Sequence, residues 1–303
     1  MTVTSATIVD VTLRDGLQDE PVLVPTSAKL EIASRLARAG VQHMEVTSFV
    51  SPRRVPQMAD AEKVVLGLPP GIRPAALIMN ERGLQRAIAA FGEGGYRRDS
   101  YDLVYVISAS ERHSLANSGV DIETALSVFE SVASDAASAG CHLRGSISCA
   151  FGSPWGEERI DAHAVLAIAE RFLMHGCRSI TLCDTVGCAQ PAHVASLVRE
   201  FMRHLGRVPA LHLHDFAGRA LENAQTALAC GVTRFEGALC GLGGCPFAPK
   251  APGNIDLAVL VGLLQGHGNA MHIDLDQISR AAQFVQQTLA AARGNQARTH
   301  RSR

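Results

Sequence analysis

Thr12-Leu13-Arg14-Asp15-Gly16 near the start of the chain, and His212-Leu213-His214-Asp215 far downstream, put an arginine, a carboxylate and two imidazoles where strand-like runs end. Residues two apart on a strand face the same side, so both imidazoles of a His-x-His pair can enter one cleft. A third stretch, Cys240-Gly241-Leu242-Gly243-Gly244-Cys245-Pro246-Phe247, leads on to Asn254 in a Gly-Asn step. Asp15, His212, His214 and the Asn254 amide form a mixed nitrogen and oxygen set. Such a set suits Mg²⁺, Mn²⁺ or another borderline divalent cation. Arg14 suits a developing negative charge, and Cys245 lies among glycines on a loop able to fold over a site. Breaking a carbon–carbon bond beside a carboxylate and a thioester needs this whole set.

Each residue also has a structural reading. The two histidines could serve as a hydrogen-bonded rim, and Arg14 with Asp15 as an ion pair at a strand end. Glu45 and Asp184, near the ends of two further strand-like runs, could each orient a histidine or an arginine, or simply hold the fold. Asp184 could also share a proton with a histidine base. Cys240 and Cys245 could pair as a regulatory disulfide; as zinc ligands they lack a second pair at finger-like spacing. Cys141, Cys149, Cys177, Cys183 and Cys230 fall in helix or strand patterns and read as small core residues.

The elements that must position these groups alternate from end to end. Strands are expected at Thr7–Leu13, His43–Thr47, Pro74–Ile78, Leu103–Ser108, Arg144–Cys149, Ser179–Asp184, Ala210–His214 and Arg234–Leu239. Between them, apolar residues three and four apart predict helices such as Ala28–Ala39, Ile122–Ala139, Ala162–His175, Ala192–Leu205 and Arg219–Cys230. Gly40, Gly140, Gly176 and Gly231 follow these helices and suit left-handed caps. Eight such units predict an α/β TIM (β/α)8 barrel, in which the C-terminal strand ends carry the chemistry. A doubly wound open sheet would carry a Gly-rich turn after its first strand, where this chain has Leu-Arg-Asp-Gly-Leu-Gln. An additional C-terminal helix, Asp274–Ala292, completes a single catalytic domain over residues 1–292. The basic run at 293–303 lacks apolar periodicity and reads as a frayed tail.

Composition sets the remaining bounds. With 303 residues and 47% hydrophobic content the chain can bury a large core. A formal charge of −1 gives no field for nucleic acid or membrane surfaces. No apolar run reaches the roughly 20 residues that span a bilayer. Strand-like sequence begins by Ala6, and the eight cysteines read as reduced thiols, so a cytoplasmic protein is expected.

On these residues the sequence resembles the 3-hydroxy-3-methylglutaryl-CoA lyase family, over Val9 to about Leu264. The likeness rests on Arg14-Asp15-Gly16-Leu17-Gln18, on Glu45 to Pro52 followed by Val55-Pro56-Gln57-Met58, and on Ala109-Ser110-Glu111. Arg144 to Ala150 and Asp184-Thr185-Val186-Gly187 add to it, and Gly241-Leu242-Gly243-Gly244-Cys245-Pro246 is its most specific element. The resemblance implies that Asp15, His212, His214 and Asn254 bind Mg²⁺ or Mn²⁺, and that Arg14 stabilises an acyl-CoA enolate. It further implies that Cys245 moves a proton from a mobile loop, that Asp184 and Glu45 support the site, and that His212 doubles as a proton acceptor. Asn117 is a candidate contact for substrate or CoA, and Lys250 meets a CoA phosphate or is only a solvated loop residue. The implied substrate is a 3-hydroxy-3-methylacyl-CoA and the implied assembly a homodimer. Citramalyl-CoA, a Claisen-type synthase activity and a non-catalytic acyl-CoA-binding role are the alternatives. One departure stands out: where the family carries an acidic stretch after its asparagine, this chain reads Ile255-Asp256-Leu257-Ala258-Val259-Leu260.

Overall fold

Eight parallel strands close on one another in sequence order in the computed structural model, which describes residues 6–215, 218–244, 253–269 and 272–301. They are β1 Thr7–Asp10, β2 His43–Ser48, β3 Arg73–Ile78, β4 Asp102–Ser108, β5 Leu143–Ser148, β6 Ile180–Asp184, β7 Ala210–Leu213 and β8 Arg234–Gly237. The ring closes where β1 pairs with β8, Val9 opposite Glu236. The helices are α1 Thr26–Arg38, α2 Ala61–Leu66, α3 Glu81–Glu93, α4 Glu111–Ser118, α5 Ile122–Ser138, α6 Ala162–Met174, α7 Pro191–Leu205, α8 Ala220–Ala229, α9 Leu257–Gly266 and α10 Leu275–Arg301. The expected TIM barrel with its extra C-terminal helix is what forms. Gly40, Gly140, Gly176 and Gly231 all take positive φ after their helices.

Strand alternation divides the residues between two environments. Met44, Leu103, Tyr105, Leu182, Leu211 and Phe235 face outward into one apolar cluster shared with the helices. The opposite parity fills the lumen. Following the ladder, His212 sits beside Cys183 and Glu236, Glu236 beside Val9, Val9 beside His43, and His43 beside Arg73. The lumen is therefore polar, and several of its buried charges are paired, Arg144 with Glu236 and Arg73 with Asp102.

Three expectations need correcting. β1 ends at Asp10 rather than Leu13, and Thr12–Gly16 form a π-helical turn closed by Gly16 N donating to Val11 O at 3.0 Å. Asp10 stops the strand by accepting from Thr12 N at 3.0 Å and Thr12 Oγ1 at 2.7 Å, and that hydroxyl in turn accepts from Leu239 N at 2.8 Å. β7 and β8 end at Leu213 and Gly237, short of His214 and Leu239, because Ile255 N takes Leu213 O and Ala238 N takes Ile255 O. The presumed tail continues α10 as far as Arg301, since the segment contains no proline to break it. Within it, Arg293 pairs with Glu20 at 2.9 Å. The first part of α10 buries Ile278, Ala281, Val285 and Leu289 and packs on α1 and α9.

Burial pushes the Asp10 carboxyl up to about 7 against its two hydrogen bonds from Thr12. A carboxyl raised in the fold favours folding most below its unfolded value, and that contribution is lost as pH rises through about 7. Asp10→Asn should therefore flatten the fall in Tm between pH 5 and pH 8; an unchanged slope would show that Asp10 does not titrate there.

Candidate active site and metal centre

The two histidines of β7 and its extension turn their Nε2 atoms toward one another at 3.0 Å inside the barrel mouth. Asp15 Oδ2 lies 3.8 Å from His212 Nε2 and 3.6 Å from His214 Nε2. Among the described residues, these three form the one group of His, Cys, Asp and Glu side chains gathered closely enough to hold a metal ion, with ligand atoms within 4.8 Å of each other. The π-helical turn is what brings Arg14 and Asp15 there together; consecutive residues of a straight strand would have faced opposite ways.

Asn254 reaches the same place by a different route. Residues 253–256 lie across the ends of β7 and β8, with Asn254 bridged to His214 and Asp256 to Ala238. Asn254 Nδ2 donates to Asp15 Oδ2 and to Leu242 O, both at 2.7 Å. Among the described residues its Oδ1, buried, meets no partner, and neither does Nδ1 of His214. An acceptor oxygen left bare beside two imidazole nitrogens and a carboxylate is what a divalent cation would satisfy, so the donor set fits a metal. Two glycines make the approach possible. A Cβ on Gly253 would come within 1.8 Å of Gly241 O, and one on Gly243 within 2.5 Å of Asn254 Nδ2 and 2.9 Å of Asp15 Oδ2.

Asp256 then accepts from Ala258 N at 2.8 Å and Val259 N at 3.1 Å, capping α9. The altered stretch after Asn254 therefore still supplies an acid that starts the helix.

Arg14 is gripped from two sides, Nε to Glu45 Oε1 at 2.5 Å and Nη1 to Asp15 Oδ1 at 2.6 Å. Burial acts against its charge, yet Glu45 and Asp15 hold it protonated above the usual arginine range. Burial likewise opposes ionisation of Asp15, but Arg14 and the two histidines keep that carboxyl well below the ordinary range. The site thus holds a fixed guanidinium and a fixed carboxylate side by side.

The residue that sequence reasoning missed is Glu236. Its Oε2 meets His212 Nδ1 at 3.0 Å, while Oε1 accepts from Arg144 Nη2 at 2.7 Å and Thr181 Oγ1 at 3.2 Å. Burial raises its pKa, but the bond to His212 and the charge of Arg144 outweigh this and hold it at about 2. An ionised Glu236 obliges His212 to carry its proton on Nδ1, which leaves the Nε2 lone pair for the mouth. A lone carboxylate in the strand run Arg234-Phe235-Glu236-Gly237 was the only sequence signal. Glu236→Gln is expected to weaken metal affinity or activity about 10- to 100-fold. Metal titration beside steady-state kinetics checks this, and an unaffected variant would remove Glu236 from the site.

Asp184 makes no hydrogen bond to the histidines among the described residues, although the charge of His212 acts on its carboxyl. The ladder sets Cys183, not Asp184, beside His212, so Asp184 faces outward. There it accepts from Cys188 N at 2.9 Å and Ala189 N at 3.0 Å, tying down the turn after β6, and burial lifts it to about 6. Its place at a strand end was legible; its facing was not. Asn117 is exposed on α4. Cys245 and Lys250 lie outside the described residues.

On the same face of the barrel, the segments after β2 and β3 enclose a cavity of about 670 Å³ lined by Phe49, Val50, Ser51, Asn80 and three arginines, Arg53, Arg82 and Arg86. Arg86 is braced by Glu62 and by Val50 O.

Comparison with known proteins agrees with this geometry. The family model described as HMGL-like matches residues 5–285. The cytoplasmic 3-hydroxy-3-methylglutaryl-CoA lyase of Rattus norvegicus is 39% identical over 282 residues, covering 92% of this chain and 79% of that protein. The crystal structure of the Bacillus subtilis HMG-CoA lyase superposes with a TM-score of 0.87 at 34% identity, covering 94% of each chain. An HMG-CoA lyase from Acinetobacter baumannii, in complex with coenzyme A and 3-methylmalate, gives a TM-score of 0.87 at 33% identity, over 96% of this chain and 93% of that one.

Proposed function

The chain belongs to the HMGL-like family, and from that premise we propose that it cleaves 3-hydroxy-3-methylglutaryl-CoA to acetyl-CoA and acetoacetate. It is a carbon–carbon lyase. The observation that carries the substrate reading is the gathering of Asp15, His212, His214 and Asn254 around bare ligand atoms, with Arg14 clamped beside them.

Asp15, His212, His214 and Asn254 would hold the divalent cation, which we take to be Mg²⁺ or Mn²⁺. When bound, it supplies Lewis acidity to the substrate's tertiary hydroxyl, lowering that group's pKa. The protein's own groups do the rest. His212, anchored through Nδ1 on Glu236, is raised in basicity against the effect of burial; its Nε2 serves either the cation or the hydroxyl proton, and as the proton acceptor it would leave the cation to Asp15, His214 and Asn254. As the C2–C3 bond breaks, Arg14 neutralises the charge arriving on the thioester oxygen; Glu45 and Asp15 fix it in place, so it need not reorganise. Cys245, the residue after Gly244, would return a proton to the departing carbon.

The arginine-lined cavity suits the phosphates of coenzyme A, with Arg53 and Arg82 as the contacts and Lys250 as a further cation from the loop. Asn117, exposed beyond β4, is kept as a candidate contact along the same ligand. A cytoplasmic location fits the relatives named cytoplasmic, beside others named mitochondrial, and a homodimer is the assembly we propose. Among the described residues no helix is long and apolar enough to cross a membrane.

Turnover of a panel containing 3-hydroxy-3-methylglutaryl-CoA and citramalyl-CoA, with Mg²⁺, with Mn²⁺ and with chelator, tests the reading. Metal-dependent release of acetyl-CoA and acetoacetate from the first is the expected result. Cleavage of citramalyl-CoA alone would reassign the substrate, and no turnover with metal bound would overturn the catalytic reading.

A further inference from the structure

Below the catalytic residues, the lumen carries more positive than negative charge. By strand parity Arg73, Arg144 and Arg234 face into it, against two carboxylates, Asp102 and Glu236. Both carboxylates are already taken. Asp102 accepts from Arg73 twice, Oδ2 from Nε at 3.1 Å and Oδ1 from Nη2 at 2.6 Å. Glu236 is shared between Arg144, Thr181 and His212.

Arg234 is therefore the surplus cation. The residue is half-buried overall, but its Nε and Nη2 are themselves buried and meet no acceptor among the described residues. The same is true of Nε on Arg144, whose side chain is only 4% exposed. His43, also in this layer, brings no negative charge; burial and Arg234 lower its pKa to about 4, so it is neutral near pH 7. Burial and the neighbouring Arg144 pull Arg234 itself down to about 10, an uncommon direction for a guanidinium.

Three buried guanidinium N–H groups without acceptors are costly, the more so on a cation with no directly paired carboxylate. A water molecule would accept from some of them and leave the charge uncompensated. A monovalent anion would answer both deficits, since it accepts from every donor and needs no donor of its own. We propose that the floor of this barrel is a small-anion site, in which a halide-class anion, chloride first, is held by Nε and Nη2 of Arg234 together with Nε of Arg144. The site lies in the lumen below the layer of Glu236 and does not depend on the substrate assigned above. Its role is to neutralise the surplus cation, so that Arg144 stays committed to Glu236.

The test compares the thermal unfolding of the full chain in sodium gluconate and in sodium chloride at matched ionic strength. A specific site predicts a Tm that climbs with the logarithm of chloride, by about 2 °C per tenfold once the site is half filled. Bromide should substitute. Arg234→Gln should flatten the dependence while kcat is retained, because Arg234 touches no part of the catalytic set. Crystals grown in bromide should show an anomalous peak between Arg234 and Arg144. If Arg234→Gln does not fold, the bromide peak in the unaltered protein decides alone. A chloride-independent Tm with no peak, or stabilisation by sulfate but not by halides, would overturn the proposal.

Discussion

Replacing Arg14 with Gln is expected to lower kcat by roughly a hundred- to a thousand-fold, with metal content intact and KM little changed. The expectation follows from how Arg14 is held. Nε is bound to Glu45, which is 1% exposed, and Nη1 to Asp15, so two of the guanidinium's five N–H directions are fixed by the fold. Among the described residues nothing else engages the remaining donors, and their orientation is set before a ligand arrives. Charge grows on the thioester oxygen only as the carbon–carbon bond breaks. A donor that waits for that charge lowers the barrel's barrier to cleavage without tightening the ground state, which is why kcat and not KM should respond. Arg14→Lys separates charge from geometry. A lysine keeps the cation but cannot span Glu45 and Asp15 with a planar fork, so it should restore only a small part of the loss. Equal activity in Arg14→Lys and the unaltered enzyme would mean that position matters little. A lost metal in Arg14→Gln would recast Arg14 as a support for Asp15.

Much of this was legible from periodicity. The eight strands, the pair of histidines on one face of β7 and its extension, and the glycine-rich approach to Asn254 all follow from local spacing. What local spacing does not contain is the register between neighbouring strands. Glu236 matters because β8 aligns it with His212, and Asp184 makes no hydrogen bond to the histidines because β6 aligns Cys183 there instead. Both facts belong to the closed ladder, and neither can be seen in one strand alone. The π-helical turn was hidden for another reason. Thr7 to Leu13 carries a good strand pattern, and only the side chain of Asp10, folded back onto Thr12, shows where the strand must stop. Proximity to a strand end was thus a sound guide to the layer of the barrel and a poor guide to the facing of a side chain.

His214→Ala is expected to abolish metal binding and turnover together. Of the two histidines, His212 is fixed from behind by Glu236, whereas His214 Nδ1 meets no partner among the described residues and its position comes from the backbone bridge to Asn254. Burial lowers its pKa, and the charge of His212 adds to this, so the ring is neutral near pH 7 and its Nε2 lone pair is available. Loss of an outer-shell partner alone typically weakens a metal about 10- to 100-fold; loss of a directly bound imidazole from a four-residue set should exceed that. Dialysed protein assayed for metal by mass spectrometry gives the direct measurement. Thermal unfolding gives an independent one. Saturating cation at about a hundred times its Kd stabilises a protein by about 2.7 kcal/mol, so the unaltered chain should gain Tm on adding Mn²⁺ and lose it to chelator. His214→Ala should unfold at one temperature in both conditions. A variant that still binds metal yet does not turn over would place His214 in proton transfer instead. The cation would then rest on Asp15, His212 and Asn254, and because His212 Nε2 cannot hold a metal and take a proton at once, the base assigned to His212 would pass to its neighbour.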